Sequence, residues 1–247
     1  AHVCLGNFIS EKLACESTKY KNDNKEQKES KGFPNSIHIF AALIREKSPN
    51  KVNKHTMNQR SKVFKFGGAS VKDAEAIRNV AEILKKYRQE QLMIVLSAMG
   101  KTTNALEKIV EAHAQQTGEA LQMLESLKLQ HYQIMNELFE PHDEVYATVN
   151  DTFVEIEWVL DEDPHDNFDY MYDQIVSVGE LVSTKILCAF LNNQGLPTQW
   201  LDARDVILTN ELYREAWVQW GETEERFQKN AQPMLNRGGF VITQGFI

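Results

Sequence analysis

The spacing of apolar and polar positions changes character near residue 62. From Lys62 onward, short apolar runs bounded by turn residues alternate with longer stretches in which apolar side chains recur every three or four positions. KVFKF at 62–66 predicts a buried strand and GGAS a turn. VKDAEAIRNVAEILKKYRQ then predicts an amphipathic helix with Ile77, Val80, Ala81, Leu84 and Tyr87 on one face. LMIVLSA predicts a second strand. In the helix after it Leu106, Ile109, Val110 and His113 share a stripe, so His113 reads as a packed histidine at the core edge, and Thr102 or Thr103 is placed to cap the first turn. Helices are predicted at 117–140 and 143–160, joined at Pro141, and a long one near 170–193 follows the loop DEDPHDNFD. TQWLDA predicts a strand, 222–236 a helix, and GFVITQG a final strand. This alternation predicts the α/β class: a mainly parallel sheet covered by helices on both faces, with ligands gathering beyond the carboxyl ends of the strands.

Residues 1–56 lack that regularity. STKYKNDNKEQKESKG is polar and poor in aromatics, which predicts a disordered or solvated extension, or sequence upstream of a natural start, with the folded domain running over 57–247 from near Met57. Acidic residues are too frequent there for an Arg/Ser-rich transit peptide. The apolar run IHIFAALI is too short to span a bilayer and does not follow a charged segment at the N-terminus. Charge follows the same division. Of the chain's 27 Lys/Arg and 35 Asp/Glu, residues 1–56 hold ten and six, leaving 17 and 29 for the rest. A net charge of −8 argues against a nucleic-acid or membrane-surface partner. Three cysteines, Cys4, Cys15 and Cys188, form no CxxC pair or metal-like spacing, which points to a reducing compartment, the cytoplasm.

Several stretches could carry chemistry. VLSAMGKTTN holds Gly-Lys-Thr after an apolar run, but a phosphate-binding P-loop needs a further Gly at the position of Val95, which lies inside the strand. KFGGAS at 65–70 is the stronger signal. Gly67 and Gly68 let the backbone turn sharply beside a ligand, the helix start beyond offers free N–H groups to phosphate, and Lys65 is a charge near the end of an apolar strand. A tight turn with a snorkelling lysine is the plain alternative. In VSVGELVS, Glu180 is flanked by Val178, Leu181 and Val182. Burial there demands a cation or several donors, Lys65 or a ligand ammonium, unless Glu180 is simply an exposed helix residue. The acidic loop 161–166 lacks the Gly and the spaced Asp/Asn of an EF-hand and reads as a solvated connection.

In chain order these segments resemble the aspartate kinases of the amino-acid kinase family. KFGGAS is similar to their Lys-Phe-Gly-Gly-Thr-Ser signature, with Ala69 in place of Thr. VLSAMGKTTN is similar to their second strand and loop, VSVGELVS to the Gly-Glu-x-x-Ser helix, and VITQGFI to the strand ending in Gly-Phe. The resemblance covers about 62–247 and implies a three-layer α/β sandwich with a mainly parallel sheet, truncated at its C-terminus. It also implies transfer of the ATP γ-phosphoryl group, with Mg²⁺, to the side-chain carboxylate of L-aspartate, the first step toward lysine, threonine and methionine. By that resemblance Ser97 and Thr103 contact aspartate, Glu180 its ammonium group, and Phe246 closes the pocket. Lys65, as the catalytic cation, together with Gly67, Gly68 and Ser70, holds the phosphoryl group, and no protein side chain is expected as a metal ligand. Such chemistry asks mainly for positioning and charge neutralisation.

In the resemblance a Gly-Arg-Gly-Gly-Ser-Asp segment follows the Gly-Phe strand, and here the sequence stops at Ile247. The expectation is therefore the substrate-side part of a kinase domain, inactive alone, from a homo-oligomeric parent whose nucleotide half and ACT regulatory domains lie beyond. A glutamate or acetylglutamate kinase, or a non-catalytic module keeping the fold, are the alternative readings.

Overall fold

The computed structural model describes residues 36–45 and 61–246. Its centre is a four-stranded, all-parallel sheet of β1 (Lys62–Phe66), β2 (Leu92–Leu96), β3 (Thr198–Trp200) and β4 (Phe240–Gln244), in the order β1-β2-β4-β3. Every side chain of β2 and β4 is buried, as expected of inner strands with both faces covered.

The period of two sends alternate residues into two cores. Phe64, Phe66, Leu92, Ile94, Leu96, Phe240 and Ile242 face the larger one. It is closed by α2 (Ala74–Lys85), α3 (Thr102–Ala114), α4 (Ala120–Asn136), α5 (Glu144–Asp161), α6 (Phe168–Val176) and α7 (Val178–Asn193). Met93, Val95 and Val241 face the other. It is closed by α1 (Ser36–Arg45), the segment 201–207, and a helical run made of α8 (Trp220–Arg226), a π turn (Phe227–Ala231) and α9 (Gln232–Asn236). Helices on both faces give the expected three-layer sandwich.

Three details depart from the sequence reading. The segment 1–56, expected to be an extension that packs little, contains α1. Its Ile39, Phe40 and Leu43 are buried, with Phe40 6.4 Å from the Phe227 ring. IHIFAALI thus supplies an apolar stripe that covers Met93 and Val95; the rest of 1–56 lies outside the described residues. Second, the long helix expected near 170–193 runs as α6 and α7 meeting at Ser177, whose carbonyl accepts the Glu180 N–H at 3.1 Å, a tighter three-residue closure, as well as the Leu181 N–H at 3.4 Å. Phe168–Asn193 is apolar and long enough to cross a membrane by composition, yet most of its most apolar window is buried inside the fold. Third, neither Thr102 nor Thr103 caps α3. Thr102 is buried, and its hydroxyl lies 3.3 Å from His131 Nε2 on α4. His113 is buried in the expected stripe, where desolvation lowers its pKa.

Candidate active site

Parallel strands deliver their carboxyl ends to one edge, and the motif residues collect there. Phe66, Leu96 and Gln244 stand side by side in register at the ends of β1, β2 and β4. Just beyond them Ser97 N–H donates to the Phe66 carbonyl (3.1 Å), Gly245 N–H to the Leu96 carbonyl (3.2 Å) and Gly100 N–H to the Gly68 carbonyl (3.1 Å). These bonds tie together the chain segments that follow the three strands.

Gly68 is required by this tie. A Cβ on it would sit 2.5 Å from the Ala98 carbonyl oxygen, which no side chain tolerates. Gly67 has open space around it, and the turn Gly68–Val71 is closed by Ser70 N–H donating to the Gly67 carbonyl at 2.8 Å. The Gly-Lys-Thr sequence is not an open phosphate cradle. The Gly100 N–H is committed to Gly68 and the Thr102 N–H to the Met99 carbonyl at 2.9 Å, while Lys101 is exposed. Thr103 lies exposed in the first turn of α3, one turn beyond the loop that carries Ser97.

Glu180 is buried at 7% exposure in the first turn of α7. Its Oε2 accepts two short bonds, from the N–H groups of Gly245 and Phe246, both at 2.6 Å. Burial pushes its carboxyl up to about 7, against the opposing pull of the Phe246 and Gly245 N–H groups, the Lys65 charge and the Ala98 N–H. Lys65 is half-buried on β1 and close enough to act on Glu180, but among the described residues it forms no ion pair within 4.0 Å. Lys65, offered by the sequence as the cation for Glu180, thus influences it electrostatically without a salt bridge among the described residues. The pairing of Glu180 falls to backbone donors, which side-chain reasoning did not identify. Phe246, partly exposed, turns its ring edge-on to Tyr172 at 6.5 Å, and Arg214 stacks on the Tyr172 ring at 4.1 Å. Tyr172 donates to Glu107 at 2.7 Å, and burial followed by that bond pushes its hydroxyl up to about 12.

Ser183, one turn after Glu180, has its hydroxyl 3.0 Å from the carbonyls of both Ser97 and Glu180, between which its single hydrogen is shared. It locks the Ser97 loop to α7. The quoted motif contained Ser183, but only the fold shows what it bonds. Among the described residues no group of three or more His, Cys, Asp or Glu could hold a metal ion.

Fold and site together define a parallel α/β domain whose strand ends bring together a half-buried lysine, glycine-containing turns and a buried carboxylate. Residues 60–247 match the amino acid kinase family, and the chain belongs to that family. It is 32% identical over 189 residues to lysine-sensitive aspartokinase 3 of Escherichia coli strain K12, covering 75% of this chain and 40% of that protein. It is also 32% identical over 182 residues to the chloroplastic aspartokinase 1 of Arabidopsis thaliana, covering 69% and 30%. The crystal structure of E. coli aspartokinase III with aspartate and ADP superposes with a TM-score of 0.66 at 28% identity, over 74% of this chain and 40% of that one. The chain thus spans less than half the length of these relatives.

Proposed function

We propose that this chain carries the acceptor side of an aspartate kinase, binding L-aspartate for phosphorylation of its side-chain carboxylate by ATP. The supporting observation is Glu180. A buried carboxylate at the strand ends, held by two N–H groups and with no side-chain cation in contact among the described residues, is the complement of an α-ammonium group. Ser97 and Thr103 flank the acceptor and Phe246 covers it.

ATP would supply the phosphoryl group. The half-buried Lys65, free of any carboxylate contact among the described residues, fits the charge that such transfer builds up, and the open Gly67 peptide admits close approach. Gly67, Gly68 and Ser70 would line the phosphoryl position. Mg²⁺ on the phosphate oxygens would neutralise the rest of that charge. The acceptor carboxylate is already ionised at neutral pH, so no strong general base is demanded.

Calorimetric titration with L-aspartate, L-glutamate and N-acetyl-L-glutamate tests the reading. Aspartate is expected to bind most tightly, and Glu180→Gln to weaken it about ten- to hundredfold through loss of a charge-assisted contact. Equal binding of N-acetyl-L-glutamate, which has no ammonium group, would refute the role of Glu180 and favour an acetylglutamate-type kinase. In full-length protein assayed by ATP-dependent aspartyl hydroxamate formation, Lys65→Met is expected to lower kcat by orders of magnitude while changing aspartate affinity less. A near-normal kcat would remove Lys65 from the chemistry.

A further inference from the structure

The two N–H groups that hold Glu180 belong to a chain segment leaving the end of β4, and their aim depends on what fixes that end. Gln244, the last residue of β4, is a fully buried amide at 1% exposure. Its Oε1 accepts the Ala203 N–H at 2.8 Å and its Nε2 donates to Thr184 Oγ1 at 2.9 Å. Thr184, on α7 one turn after Glu180, is completely buried and also accepts the Trp200 indole N–H at 2.9 Å. Its own hydroxyl proton is directed at the Glu180 carbonyl (2.8 Å) or the Leu181 carbonyl (2.9 Å).

Chemistry fixes the direction of every bond here. The Ala203 N–H and the indole N–H can only donate, so the Gln244 oxygen must face Ala203 and its NH₂ must face Thr184. The Thr184 hydroxyl then has both lone pairs filled and its hydrogen spent on α7. The network joins the ends of β3 and β4, the turn at Ala203 and the first turns of α7, and the orientation of the Gln244 amide within it is fixed. We propose that Gln244 is a positioning residue of this site. By anchoring the end of β4 to Thr184 and Ala203, it aims the Gly245 and Phe246 N–H groups at Glu180 and so sets that carboxylate's proton affinity and its capacity to hold an ammonium ligand. The first effect stands on the geometry alone. The second rests on the proposed function.

The test reads the two effects separately. With ¹³C-labelled glutamate, the Glu180 carboxyl resonance, assigned by its loss in Glu180→Gln, is followed by NMR from pH 4 to 9. Gln244→Met keeps the length of the side chain but removes both bonds. It is expected to raise the Glu180 midpoint by about half a unit to one unit, because N–H donors favour the ionised form. Thr184→Val is expected to shift it in the same direction, and Thr184→Ser, which keeps the hydroxyl, to restore the wild-type midpoint. Should Gln244→Met not fold, Gln244→Asn, too short to reach both partners at once, is titrated in its place. An unchanged midpoint in the folded Gln244 variant, or equal shifts in Thr184→Val and Thr184→Ser, would overturn the proposal. Calorimetry with L-aspartate on the same proteins gives the second effect. A midpoint shifted in the Gln244 variant, with wild type itself binding no aspartate, would keep the positioning role and reject only the ligand.

Discussion

Glu180→Gln offers a measurement of how much stability the site gives up to keep a carboxylate in place. The ordinary glutamate value is 4.5 and burial raises Glu180 to about 7. That difference corresponds to about 3 kcal/mol between the protonated and ionised folded protein. The sign follows from the direction. Because the folded-state value lies above the unfolded one, the contribution to stability is fully present below about pH 4.5 and is lost as pH rises through 7. Glutamine has nearly the same shape, its oxygen can still accept the Gly245 and Phe246 N–H groups, and it never ionises. Urea denaturation of both proteins between pH 4.5 and 8.5 is therefore expected to show wild type losing about 3 kcal/mol relative to Glu180→Gln, with most of the loss between pH 5 and 7.5. Taking the difference between the two proteins cancels every other titrating group. If the proposed function holds, saturating L-aspartate narrows the gap at high pH, since an ammonium partner favours the ionised form that burial disfavours. A stability difference that stays constant across this range would show that Glu180 titrates as a solvated carboxylate, and the reasoning from burial would fail.

Two further outcomes follow from the cores. Phe40→Ala removes a fully buried ring of α1 from its place against Phe227 and should cost about 3–5 kcal/mol in denaturant unfolding; a loss well below 1 kcal/mol would show that α1 does not cover the sheet in solution. Cys188 is buried, with its thiol pushed up to about 11 by desolvation against the weaker pull of Asn192, so iodoacetamide at pH 8 should leave it unlabelled in peptide mapping until denaturant is added.

The four strands were legible because their residues are apolar, β-branched or aromatic over short, punctuated runs, and the stripe of α2 because Ile77, Val80, Ala81 and Leu84 recur at helical spacing and are all buried. α1 was misjudged for the opposite reason. Its Ile39, Phe40 and Leu43 carry a buried stripe, but a polar neighbourhood outweighed a ten-residue element whose stability comes from the sheet it covers rather than from its own propensity. The junction at Ser177 left no mark in the pattern, since apolar residues continue on both sides and Ser177 itself keeps helical dihedral angles.

Within the site the division is chemical. Lys65 and Glu180 were visible because each is a charge where its element should be apolar. What holds Glu180 was not visible, because the donors are main-chain N–H groups about 65 residues away and every residue type but proline carries one. The departure from the family signature at Ala69 shows the same thing from the other side. The resemblance expects a threonine there, yet the turn is closed by Ser70 N–H on the Gly67 carbonyl, and Gly68 is held by its close approach to Ala98. Ala69 itself is exposed in that turn. The geometry of Lys65 and the glycines at the strand ends is thus set by backbone bonds and by the missing Cβ at 68, so alanine at 69 leaves the scaffold of the proposed phosphoryl position intact.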